Sequence, residues 1–135
     1  MAENNKHVMP DAPSGELVIK TLAMPGDTNA NGDIFGGWVL SQMDLGCGIV
    51  AKDYSPSGRA ATVAIDSMSF INPVKVGDVV SCYAKVIKTG RTSIQIAIET
   101  WVHNHIAHVT QIVTKGVFTF VAIDEDGRPI PIQVV

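Results

Sequence analysis

The sequence predicts an α+β fold, with one long helix set against a curved antiparallel sheet of about five strands. Two observations carry that expectation. Between Ile34 and Asp53 there is neither proline nor alternation, while Trp38, Leu40, Met43, Cys47 and Val50 recur at helical spacing. Most of the chain after Gly58 instead breaks into apolar or alternating runs separated by Gly, Asn, Asp and Pro. At 135 residues the chain suits one domain and is long enough to bury a core.

The elements follow in order. Residues 1–15 are polar and rich in Asn and Pro, which reads as a loose leader before a single domain over 16–135. Glu16–Ala23 alternates as a short strand, and Met24–Asp33 carries the Pro, Gly, Asp and Asn of a turn-rich loop. The helical stretch then runs roughly 20 residues, about 30 Å, until Tyr54-Ser-Pro-Ser-Gly58 stops it. Arg59–Phe70 is a mixed pattern. Val79–Lys88 reads as a long strand closed by Thr89-Gly-Arg91. In Thr92–His103, Ile94, Ile96, Ile98 and Val102 share one face, with Gln95, Glu99 and His103 on the other. Asn104 falls in a hairpin turn, and Ile106–Ile123 forms the last strand, ending at Asp126-Gly127. Ile130–Val135 carries no pattern that assigns it. Short connections make the last three strands antiparallel. A helix of this length wrapped by such a sheet is the hotdog architecture, and its open edges predict pairing with a second copy.

A formal charge of -3 and the lack of any Lys/Arg cluster argue against nucleic acid as a partner. No apolar run approaches a membrane span, and the N-terminal residues show no signal-peptide core. Cys47 and Cys82 are the two cysteines, read as reduced thiols of a cytoplasmic protein. His103, His105 and His108 invite a metal reading. However, no Cys or carboxylate completes a ligand set at familiar spacing, so no metal is expected.

The chemistry concentrates in Asn29–Asp44. Gly36 and Gly37 fall at the helix start, where backbone N–H groups lack partners and the dipole is positive. A ligand carbonyl could approach closely there and find donors for a developing oxyanion. Asp44 lies on a stripe of small residues, Gly37, Ser41, Gly48 and Ala51, in a helix apolar almost all round. Such a helix is buried, and a buried carboxylate is paired or functional. Burial would raise its pKa and suit it as a base, or it could attack a carbonyl itself. A thioester fits this sparse machinery, because a thiolate leaves without a strong general acid. Cys47 has no His or Asn partner nearby in sequence and reads as an inert buried thiol.

Phe35-Gly-Gly-Trp-Val-Leu-Ser-Gln-Met-Asp44 resembles the YciA-type acyl-CoA thioester hydrolases of the hotdog superfamily. Ala64–Phe70, Pro73–Asp78 and Gly90–Ser93 extend the resemblance over Glu16–Pro131. The resemblance implies hydrolysis of acyl-CoA to a free acid and CoA, with CoA part of the substrate and no separate cofactor. It makes Asp44 the catalytic aspartate, Asn29 an asparagine that works with it across a subunit interface, and Gly37 the backbone donor facing the thioester oxygen. Phe35 and Gly36 are expected beside the substrate. Asp66, Ser67, Met68 and Ser69 would lie on the strand lining the CoA tunnel. Gly90, Arg91, Thr92 and Ser93 would form the turn that contacts pantetheine and phosphates. Arg59 and Lys88 are weaker candidates for phosphate contacts. The resemblance also implies dimers with shared sites, assembled as a trimer of dimers.

Two rival functions remain in view. A hotdog acyl-thioester hydratase generally uses a His near the helix start, and no His lies between His7 and His103. A non-catalytic acyl-CoA binding module would bind CoA without turnover and usually carries an attached effector domain.

Overall fold

The computed structural model describes residues 11–135. The order is β1 (Glu16–Leu22), a short 3-10 turn (Pro25–Asp27), α1 (Gly36–Asp53), β2 (Ala60–Phe70), β3 (Val79–Thr89), β4 (Ser93–Asn104) and β5 (Val109–Ala122). The five strands form one antiparallel sheet in the order β1-β3-β4-β5-β2, leaving β1 and β2 at its edges. One helix lies against this sheet, the predicted architecture.

The helix buries Val39, Met43, Cys47 and Ala51, four residues at i, i+4 spacing that form one stripe. They meet Val80, Cys82, Ala84, Ile94, Ile96, Ile98, Phe118 and Phe120 from the sheet. Gly46 permits the closest approach, because a Cβ there would sit 2.8 Å from the Val18 side chain. The stripe is not the one expected, since Trp38, Leu40 and Val50 only flank it, half-buried. Nor is the helix buried all round: Leu45 is 58% exposed and Ile49 53%.

Other boundaries shift for local reasons. The helix begins at Gly36 because Ile34, buried and bridged to Thr28, belongs to the preceding loop. Asn104 ends β4 instead of lying in the turn; its Oδ1 accepts from the N–H of Ile106 and Ala107, and its Nδ2 donates to buried Asp78. Of the leader expected over 1–15, residues 1–10 lie outside the described residues. Within the remainder, the Ser14 N–H donates to Glu99 Oε1, which ties that segment to the sheet.

The unassigned tail has a defined place. After a tight turn at Asp124–Arg128, Ile123 bridges Pro129, and the N–H groups of Ile130, Ile132 and Gln133 donate to Ala122, Arg91 and Tyr54 carbonyls. No helix among the described residues is long and apolar enough to cross a membrane.

Candidate active site

Phe35 caps the helix with extended backbone and no side-chain oxygen. The first-turn amides of Gly36 and Gly37 therefore have neither an intrahelical partner nor a cap oxygen. Each of the two glycines has an aromatic ring close by. A Cβ at Gly37 would come 3.2 Å from the Phe35 ring, and one at Gly36 would come 3.3 Å from Phe70. Any larger side chain would displace a ring from this helix end.

Asp44 sits two helical turns further on. It shares a groove with Gly37, Leu40, Ser41, Thr62 and Ile65. The Thr62 hydroxyl on β2 donates to Asp44 Oδ1 at 2.6 Å. This hydrogen bond leaves Oδ2 available to a water or a substrate. Within one chain Asp44 is only half-buried, contrary to expectation. The small residues Gly37, Ser41 and Gly48 beside it provide no cover, and the nearby edge strand β2 ends the sheet.

Sequence reasoning missed Thr62. It lies 18 residues away, in a stretch whose pattern is mixed, and only the packing of α1 against β2 brings it to Asp44. Thr62→Val removes the hydroxyl at nearly constant shape. We expect kcat to fall about tenfold with KM within about twofold, the scale of one hydrogen bond to a charged group. Thr62→Ser should restore most of the rate. Unchanged kcat in Thr62→Val would show that this contact positions nothing.

The remaining candidates are dispersed in one chain. Asn29 lines a different groove, with Asp33, Gly36, Val39, Phe70 and Asn72. Its Oδ1 accepts from the N–H of Asn31 and Asp33 at 2.8 and 3.2 Å, which shapes the loop. Asp66, Ser67, Met68 and Ser69 occupy an irregular stretch of β2, where pairing with β5 shifts register and Ser67 adopts φ 53°. Met68 turns inward against Gly116, whereas Ser67 lines a separate groove with Lys85, Glu99 and Lys115. Gly90, Arg91 and Thr92 connect β3 to Ser93, the first residue of β4, with the Gly90 N–H donating to the Ser93 carbonyl. Arg91 is exposed. Arg59 is brought to the same end of the sheet, because the consecutive amides of Ala122 and Ile123 donate to Thr92 and Arg59 carbonyls.

Cys47 and Cys82 are free, buried thiols. Burial pushes the Cys47 pKa far up, with Cys82 and Asp44 adding to it, so Cys47 is a poor nucleophile. Burial raises Cys82 likewise, partly offset by its hydrogen bond with Thr100. The His103 and His105 rings meet edge-on at 4.6 Å, and His103 Nδ1 lies 2.6 Å from Thr110 Oγ1. Among the described residues no three His, Cys, Asp or Glu side chains gather in a metal-like group.

A family model described as the thioesterase superfamily matches residues 31–106, more than half of the chain and the whole of α1. The chain belongs to the thioesterase superfamily. Among other members, the acyl-CoA thioester hydrolase YciA of Salmonella typhimurium is 52% identical over 129 residues, covering 93% of this chain and 96% of the relative. A hexameric thioesterase from Yersinia pestis is 52% identical with a TM-score of 0.86, covering 91% of this chain and 100% of that one. A hexameric hotdog fold thioesterase of Campylobacter jejuni is 42% identical with a TM-score of 0.81, covering 88% and 91%. The hotdog fold expected for this thioesterase-superfamily chain is the one observed.

Proposed function

We propose that this protein hydrolyses acyl-CoA thioesters to a free acid and CoA, with Asp44 as general base. The observation that carries this reading is the groove joining the first-turn glycine to a carboxylate held by Thr62. Gly37 and Asp44 are seven residues apart, roughly 10 Å of helix rise. That separation leaves room for a water between the Asp44 carboxylate and the carbon of a carbonyl bound at the Gly37 N–H. Asp44 takes a proton from that water as it adds to the thioester carbon, the Gly37 amide stabilises the oxyanion, and the C–S bond then breaks. The departing thiolate recovers the proton from Asp44, so no metal or further cofactor is required.

The assembly follows from the same surfaces. The β2 edge exposes Val63, Ile65 and Phe70, and it borders the Asp44 groove. A second copy pairing there would extend the sheet, cover that groove and desolvate Asp44. It would also bring a second Asn29 loop to the interface, so that each site draws on two chains. The hexameric relatives support a trimer of such dimers. CoA phosphates would meet the end of the sheet that carries Arg59 and Arg91, with Lys88 close by on β3. Two reduced, buried thiols suit a cytoplasmic enzyme.

The test is thiol release from short, medium and long acyl-CoAs. Steady release with a chain-length preference is expected. CoA binding without release would replace this reading with a binding module, and water addition to an enoyl-CoA would replace it with a hydratase.

A further inference from the structure

We propose that residues 129–133 form a strap that holds the β3–β4 turn in position for the nucleotide end of CoA. The proposal rests on the reading of Gly90–Ser93 as a CoA contact. The segment reads Pro129-Ile-Pro-Ile-Gln133, with proline at 129 and 131. Proline has no N–H, so an extended chain of this pattern can donate from one side only. That side faces the domain. The Ile130 N–H donates to the Ala122 carbonyl at 2.8 Å, and the Ile132 N–H donates to the Arg91 carbonyl at 2.9 Å. The next residue reaches a different element. The Gln133 N–H donates to the Tyr54 carbonyl at 2.8 Å, and its Nε2 to the Asp53 carbonyl at 3.3 Å. Ile132 packs against the core between these contacts.

The strap therefore joins three things: the end of β5, the turn carrying Arg91, and the end of the helix that carries Asp44. The turn itself has few restraints of its own. It is held by the Gly90–Ser93 backbone bond and by the Ala122 N–H donating to the Thr92 carbonyl. Arg91 forms no ion pair among the described residues, where Lys75–Asp33 is the only one. The one backbone bond made by Arg91 itself thus comes from the strap, and the reach of its guanidinium towards a phosphate depends on that backbone position. Ile132 and Gln133 are positioning residues, acting on CoA through Arg91.

Ile132→Pro deletes one backbone N–H donor, Gln133→Pro deletes one together with the Nε2 donor, and Ile132→Val keeps the Ile132 N–H. Each is assayed on an acyl-CoA and on the matching N-acetylcysteamine thioester, which lacks the nucleotide. The two proline variants are expected to lose about five- to tenfold in kcat/KM on acyl-CoA through KM, the scale of one or two backbone hydrogen bonds. Their turnover of the short thioester should be unchanged, and Ile132→Val should match wild type on both. An equal loss on both substrates would make the strap purely structural and overturn the proposal. Arg91→Ala separates the two layers of the argument. If it weakens acyl-CoA use while the proline variants do not, the turn reading stands and the strap falls. If Arg91→Ala has no effect, the turn reading falls and takes the strap with it.

Discussion

Asp44→Asn is expected to lose about a thousandfold in kcat on acyl-CoA, within the span that general-base catalysis supplies. Asparagine keeps the shape of the side chain, and its carbonyl oxygen can still accept the Thr62 hydroxyl that now donates to Oδ1 at 2.6 Å. The fold should therefore survive, with stability changed by less than about 1 kcal/mol, as for a half-exposed site away from the core. What asparagine cannot do is take a proton from water. KM should move little, because Asp44 carries a charge that a CoA ester does not need for binding. Thiol release and thermal unfolding measured together decide the matter. A folded variant that keeps its rate would remove Asp44 from the chemistry. Label in the Asp44 carboxylate after a single turnover in oxygen-18 water would reveal an anhydride opened by water at the Asp44 carbon, a label that general-base catalysis does not produce.

Why Asp44 was legible and Thr62 was not is a matter of range. The glycine pair and the carboxylate lie within one helix, so spacing alone relates them. Thr62 acts across packed elements, from a strand that exposes both faces at the sheet edge and slips register between Asp66 and Ser69. Such a strand has no clean alternation to read. β4 did alternate, because one of its faces is fully buried against the helix. The helix position was readable from its period, but its buried face was not. A helix with apolar residues on nearly every side offers several stripes, and only the sheet selected Val39, Met43, Cys47 and Ala51. The tail failed for another reason. Alternating Pro and Ile belongs to no regular element, and its meaning appears only where the carbonyls of Arg91 and Tyr54 wait for its N–H groups.

The separation of Asn29 from Asp44 has the second large consequence. In one chain they line different grooves, with Asn29 on the Phe70 side of the helix start and Asp44 on the Ile65 side. If they cooperate, one must come from each of two chains related by the dimer axis. Asn29→Ala alone and Asp44→Asn alone should both be nearly inactive. Mixed in equal amounts with subunit exchange, half the dimers become heteromeric, and each heteromeric dimer holds one intact site and one doubly altered site. The mixture should therefore recover about one quarter of wild-type activity. This gain from near zero cannot arise if the pair works within a chain, because every chain in the mixture then lacks one member. Exchange is checked independently with a mass-tagged subunit. Recovery near a quarter would establish a site shared between two chains, as pairing at the β2 edge requires. With exchange confirmed, no recovery would confine the chemistry to a single chain and leave the Asn29 side chain with only its loop hydrogen bonds to Asn31 and Asp33.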